Sequence, residues 1–453
     1  MNTNSNSGSW WRTLSRPQFL AFTVASMAWF FDCFDQQIFN LARMDAVKSL
    51  VTGEQNPKTW AAYTMTTFLV GWGTGGLWLG ALGDKLGRAR MLALCIFLYA
   101  IFTGLSAFSL SVWDFCGYRF LTGVGVGGVF GLSVALISDV IIGEARPKAL
   151  GLFQALSTIG NVGAGLVGLG ISMLVGSGAL TPTWQWKTLF LVGAIPALLT
   201  GFWALTLREP ASWIEARDSG KLAAARAGSY VALLGNVKWR RNALLALALC
   251  SVGIVGLWGL GNFHPDILDS VLRNKFAADG LDAKGMESQV GRAKSFAMIA
   301  QNLGGFVGML LMAQLAQRWC RRGAFAVGFI AACAATMLVF KGLRTYEDIW
   351  WMIPLMGAAQ YSLFSGFAIY LPELFPSALR STGASLCYNG GRFVAATAPF
   401  TLALLTNYLG EGKSPIEKIE AFRTAGFWLS LVLLTALLIL PFLPETKDKP
   451  LPE

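Results

Sequence analysis

Apolar residues run through this chain in long unbroken blocks. Twelve blocks approach the roughly 20 residues that a helix needs to cross a hydrocarbon layer. They lie near residues 17–41, 59–82, 90–111, 114–141, 149–174, 187–207, 242–263, 293–316, 324–341, 347–371, 380–407 and 421–443. The blocks do not alternate with a period of two, so they predict helices and not a β-barrel. Most connections are short. The exception is residues 208–241, a basic stretch carrying Arg217, Lys221, Arg226, Lys238, Arg240 and Arg241, which separates six spans from six. The pattern therefore predicts an all-α integral membrane protein with twelve transmembrane helices. Its expected parts are a tail (1–16), a six-helix bundle (17–207), a linker (208–241), a second six-helix bundle (242–443) and a second tail (444–453).

Composition supports that class. The 453 residues are 54% hydrophobic and 13% charged, against about 25% charged in soluble domains. The net charge of +11 raises nucleic acid as a partner, but no binding motif accompanies it. The excess is explained by basic residues that hold loops on the cytoplasmic side. That bias predicts a multi-pass protein of the cell membrane with both termini in the cytoplasm. The polar segment 1–16 lacks the apolar core of a secretory signal. Seven scattered cysteines show no metal-ligand spacing and read as small packing residues. The stretch from His264 to Lys294 is polar and is expected to form a small outer cap, with the single histidine solvated.

The two halves repeat weakly. The loop Gly80-Ala-Leu-Gly-Asp84-Lys-Leu-Gly87-Arg88-Ala-Arg90 has a degraded counterpart at Ala313–Arg322, with Gln317 in the place of Asp84 and Arg321 in that of Arg88. Asp139 and Arg146 after the fourth span match Glu373 and Arg380 after the tenth. Two parallel six-helix repeats are the layout of a transporter whose halves rock around a central site.

Gly80-x-Leu-x-Asp84-x-x-Gly87-Arg88-x-Arg90 resembles the loop signature of the major facilitator superfamily. Arg119-x-x-x-Gly123-x-Gly125-x-Gly127, Arg208-Glu209-Pro210 and Pro444-Glu445-Thr446-Lys447 also resemble its motifs, in the right order. Within it, Asp32-Cys-Phe-Asp35 and Tyr370-Leu-Pro-Glu-Leu-Phe-Pro, with Tyr388-Asn389-Gly-Gly-Arg392, resemble the proton symporters of sialate and aromatic acids. The seventh span lacks the paired glutamines of the sugar-porter branch. The resemblance implies alternating access, and a gate in which Asp84 meets the start of the eleventh span with Gly80, Gly87, Arg88, Glu373 and Arg380. The substitution of Gln317 for Asp84 leads us to expect a weaker lock from the second half.

Several residues carry candidate chemistry. Asp32 and Asp35 share one face of the first span, and an ionised carboxylate there is costly unless paired or facing a wet cavity. Arg119 enters the fourth span at similar depth, and the superfamily layout makes the two spans neighbours. An Asp35–Arg119 pair is expected, either for proton coupling, with Asp32 one turn inward, or as a static brace. Arg392 lies well inside the eleventh span, beside Tyr388 and Asn389. It suits a substrate carboxylate, which a guanidinium grips with two hydrogen bonds; a purely structural contact is the alternative. Aromatic residues Trp29, Phe30, Phe34, Trp258, Phe263, Tyr361, Phe364, Phe367 and Tyr370, with polar Gln36, Gln37, Gln154, Asn161, Gln301, Asn302 and Gln360, are expected to supply a cavity lining.

Gly123, Gly125 and Gly128 match a dinucleotide fingerprint, but within an apolar span and without a preceding strand. Close helix packing explains them better. No nucleophile–base constellation suggests an enzyme. No phosphate-binding loop suggests ATP, so no cofactor is expected and a proton gradient is the energy source. The expected function is proton-coupled symport of a small organic anion by a monomer in the lipid bilayer. Sugar symport and a non-transporting ligand sensor are the alternatives.

Overall fold

The computed structural model describes residues 10–452 apart from 54–55, 225, 262–263, 281–282, 396 and 413. Six long helices form each half. The first half holds α1 (Arg16–Leu50), α2 (Pro57–Leu86), α3 (Arg88–Ser106), α4 (Val112–Val140), α5 (Ala145–Gly176) and α6 (Pro182–Ala204). The linker folds into three short helices, α7 (Ala211–Asp218), α8 (Lys221–Ala224) and α9 (Tyr230–Gly235). The second half begins with α10 (Val237–Ile254), which continues as a π-helical turn through Val255–Leu260. An outer helix α11 (His264–Ala278) follows, then α12 (Ala283–Arg318), α13 (Arg321–Gly342) and α14 (Tyr346–Tyr370). The eleventh span is broken into α15 (Arg380–Ala395) and α16 (Ala398–Gly410). The twelfth is α17 (Pro415–Leu429), a 3-10 stretch Ser430–Thr435 and α18 (Ala436–Ile439).

Among the described residues, nine helices are long and apolar enough to cross a membrane by length and composition alone. The other three expected spans have visible reasons for missing that threshold. The middle of α1 carries Asp32, Asp35, Gln36 and Gln37; α2 is diluted by glycine, threonine and tryptophan; the eleventh span is split into pieces of 16 and 13 residues. All twelve spans belong to one fold of two six-helix halves.

Glycine sets the spacing inside each half. A Cβ on Gly123 of α4 would lie 2.2 Å from the Phe68 carbonyl oxygen of α2, and one on Gly127 would lie 2.1 Å from that of Trp72. The second half repeats the device: a Cβ on Gly304 of α12 would meet the Pro354 oxygen at 2.1 Å, and one on Gly308 the Ala358 oxygen at 2.0 Å. The fingerprint-like glycines of α4 are therefore contact points for α2 and α3. Gly123→Ala is expected to force α2 and α4 apart, at a cost of about 1–3 kcal/mol. A lower unfolding temperature in detergent would register it; an unchanged one would refute the packing role.

The expected polar cap is helical. Ile267, Leu268, Val271 and Leu272 of α11 bury against Val290, Ala293 and Ala297 of α12, whose first turns extend beyond the expected span. Asp269 accepts from Arg273 Nε at 2.7 Å and Lys294 Nζ at 2.6 Å. Partial burial would raise its carboxyl, but the two cations hold it below the usual carboxylate range. Phe263 and the His264 side chain lie outside the described residues.

Candidate substrate cavity and gate

The halves meet through α5 on α12 and α14, and through α15 on α2 and α4. Between them lies a cavity of about 350 Å³. Of the expected binding residues, Trp29, Gln36, Gln154, Asn161, Trp258, Gln301, Asn302, Phe364, Tyr388 and Arg392 line it, with Gln37 and Tyr361. Asn161 Nδ2 donates to Asn302 Oδ1 across the halves at 3.0 Å. The cavity continues past Gln37, Asn40, Lys294 and Ser295, away from the gate described below. Its only charged wall residues among those described are Arg392 and Lys294, both cations.

Three expected wall residues are elsewhere. Phe34 turns toward α5, stacked with Phe30 and beside Gly163. Asn389 donates to the Gly127 carbonyl at 3.4 Å, beneath the cavity. Gln360 donates to Thr336 Oγ1 at 2.8 Å inside the second half. One cause covers these corrections. Successive helical residues point about 100° apart, and here Cys33, Tyr388 and Tyr361 face the cavity while their neighbours Phe34, Asn389 and Gln360 turn toward other helices. Phe30, Phe367 and Tyr370 do not line it either.

Arg392 sits in an aromatic cage. Its guanidinium carbon lies 3.6 Å from the ring centre of Trp72, 4.9 Å from that of Tyr388 and 5.8 Å from that of Trp258. Trp72, from α2, was not foreseen: a tryptophan in an apolar span gives no signal of its facing. The rings fix the guanidinium plane and are worth about 0.5–2 kcal/mol to a cation. Nε has no hydrogen-bond partner, so the fork retains donor capacity.

Asp35 and Arg119 do pair. Arg119 Nη2 donates to Asp35 Oδ2 at 3.0 Å and Thr103 Oγ1 to Asp35 Oδ1 at 2.7 Å. The guanidinium is enclosed by the rings of Phe39, Phe68 and Phe190. Neither member lines the cavity. Asp32 is also buried, and its Oδ2 has no hydrogen-bond partner. Its neighbours Trp29 and Cys33 line the wall, and it stands within electrostatic reach of Arg392.

An aromatic floor closes the cavity on one side. Tyr388 stacks on Phe130 at 3.8 Å between centroids, and Trp29 stacks on Phe153 at 5.9 Å. Below it, Gly80 and Gly131 let Ser385 approach: a Cβ on either would fall within 2.2 Å of Ser385 Oγ. The gate lies next. Asp84 accepts from the backbone N–H groups of Ser381 (3.1 Å) and Thr382 (2.8 Å), from Thr382 Oγ1 (2.8 Å) and from Arg88 (3.2 Å). A carboxylate there is favoured by the helix's positive end. Arg88 also donates to the Ser377 carbonyl at 2.5 Å.

Two charge clusters flank this contact, related by the repeat. Asp139 receives Arg88 of its own half and Arg380 of the other. Glu373 receives Arg321 of its own half at 2.8 Å and Arg146 of the other at 3.1 Å, plus Thr446 Oγ1 at 2.6 Å. Glu209 caps α3 through the backbone N–H groups of Arg88, Ala89 and Arg90, while Glu445 caps α13 through those of Arg321 and Arg322. Burial would raise the Glu445 carboxyl, but these backbone donors hold it below the usual range. Gly87, at φ +113°, leaves room for Glu209: a Cβ would lie 2.4 Å from its Oε1. The linker straps the gate, with Trp213 Nε1 donating to the Asp84 carbonyl at 3.0 Å and Gly228 N–H to that of Ala378 at 3.1 Å. The expected weakness of the second half is confined to Gln317, which makes one exposed hydrogen bond to the Glu144 carbonyl. The charge cluster around Glu373 is as full as that around Asp139.

Comparison with known proteins agrees with this architecture. The sugar (and other) transporter family matches residues 19–234 and 284–453. A cis,cis-muconate transport protein of Acinetobacter baylyi is 27% identical over 393 residues, covering 86% of this chain and 87% of the relative. A probable 4-methylmuconolactone transporter of Cupriavidus pinatubonensis is also 27% identical, over 89% and 87% of the two chains. The solved proton:xylose symporter XylE has the same fold, with a TM-score of 0.73 at 16% identity over 96% of this chain and 97% of its own. With its two six-helix halves and the cavity between them, the chain belongs to the sugar (and other) transporter family of the major facilitator superfamily and is a multi-pass membrane transporter, not an enzyme.

Proposed function

We propose that the protein carries a small organic carboxylate across the cell membrane by alternating access, in symport with protons. One observation carries the anion assignment: among the described residues, both charged residues of the cavity wall are cations. Arg392, caged with a free Nε, holds the carboxylate. The aromatic rings pack its body, and Gln36, Gln154, Asn161, Gln301 and Asn302 orient its remaining polar groups. The names of the muconate and methylmuconolactone relatives support the same substrate class. The two acids of α1, with Arg119, are the coupling candidates. The lysine and arginine excess in the loops supports a cytoplasmic gate, so the cavity faces outward in this conformation.

The test is a thermal-stability screen of purified protein with carboxylates, neutral sugars and nucleosides. A ligand at about 100 times its dissociation constant adds about 2.7 kcal/mol to the folded state. Carboxylates should raise the unfolding temperature. A shift with neutral sugars and none with acids would replace the anion reading by sugar transport.

A further inference from the structure

We infer that Asp32 is the proton carrier, and that it couples proton to substrate by competing with the substrate carboxylate for Arg392. The inference rests on the reading of Arg392 as the anion site.

The two acids of α1 are in opposite situations. Asp35 is satisfied: Arg119 and Thr103 occupy its two oxygens, and the pair is sealed beneath Phe39, Phe68 and Phe190. Taking a proton there would leave Arg119 buried without its counter-charge, which is strongly unfavourable. Asp32 has no such partner. It is 1% exposed and its Oδ2 is unpaired. The charged and titratable groups around it are Asp35 and Cys33 on its own helix, Cys95 and Tyr99 on α3, and Tyr388 and Arg392 on α15. Arg392 is the sole cation in that set.

That arithmetic makes the coupling. An ionised Asp32 balances Arg392 when the cavity holds no substrate. An arriving carboxylate brings a second anion to one cation, and like charges in a site of low dielectric repel. Asp32 relieves the repulsion by taking a proton from hydronium in the cavity: an O–H bond forms on the carboxylate, one breaks in the hydronium, and neutral water is left. The local charge is the same before and after. When the gate opens and the substrate leaves, Arg392 again favours the ionised form and the proton departs on the same side. One proton then moves with each carboxylate bound at Arg392. Asp35–Arg119 braces α1 against α4 throughout.

Two measurements test this. In a weakly buffered solution with an indicator dye, wild-type protein should take up about one proton per substrate bound, and affinity should fall about tenfold per pH unit above the Asp32 titration. No proton uptake would overturn the inference. Reconstituted in liposomes, Asp32→Asn should keep substrate counterflow, lose accumulation driven by a pH gradient and bind the anion with no pH dependence. Accumulation retained in Asp32→Asn would equally overturn it. Failure of the underlying reading looks different: Arg392→Ala would then bind the carboxylate as tightly as the wild type.

Discussion

Glu373→Gln is expected to unlock the gate. Its buried carboxylate receives Arg146, Arg321 and Thr446, and neutralising it leaves two guanidinium groups without their counter-charge. Breaking such a buried pair from one side costs about 3–5 kcal/mol. The loss divides between two equilibria. Arg321 and Thr446 belong to the same half as Glu373, so part of the cost falls on that half's folding. Arg146 belongs to the other half, so the rest falls on the closed state alone. Transporter conformations differ by a few kcal/mol, and about 5.5 kcal/mol carries a population from 1:99 to 99:1. The variant should therefore spend much of its time open at the gate, with faster hydrogen exchange in residues 80–90 and 377–388. Arg146→Gln removes only the contact between halves. It should shift the same exchange while leaving the unfolding temperature nearly unchanged. If exchange at the gate stays at the wild-type rate in both variants, the cluster stabilises the fold and does not gate it.

Arg392→Lys is expected to weaken carboxylate binding by about 10- to 100-fold. Lysine keeps the charge but loses the planar fork that grips two oxygens, and it stacks poorly on Trp72. Hydrogen bonds to a charged partner are worth about 1.5–3 kcal/mol, and 1.4 kcal/mol is tenfold in affinity. Titration calorimetry with the acid and a neutral amide analogue separates charge from shape. Only the acid should lose affinity. An equal loss for both would mean that Arg392 holds Trp72 and Tyr388 in place and touches no carboxylate.

Much of this protein was legible along the chain because a bilayer accepts so few structures. Blocks of about 20 apolar residues read as spanning helices, and the basic stretch at 208–241 separates six such blocks from six. The Asp35–Arg119 pair was legible through the superfamily layout, which makes the first and fourth spans neighbours, together with the cost of an unpaired charge in a membrane. The meeting of Asp84 with the start of the eleventh span was legible through motif resemblance.

Facing was not legible. Aromatic residues face lipid, neighbouring helices and the cavity alike, so hydropathy cannot say which of them turns inward. Trp72 and Phe34 look alike in sequence, yet one covers Arg392 and the other packs on α5. Adjacent polar candidates such as Tyr388 and Asn389 divide between cavity and interface by 100° of helix rotation. The cross-linking of Asp139 and Glu373, each to an arginine of both halves, appears only when the repeats are placed face to face. Sequence alone determined the membrane class, the two halves and which charged residues lie within the spans, because burial of charge and backbone leaves few options. The tertiary structure decided which of those residues share a cavity, which are locked in the gate, and that Asp32 rather than Asp35 keeps an unpaired oxygen. Those distinctions depend on helix rotation and on contacts between the halves, and neither leaves a mark in a linear pattern.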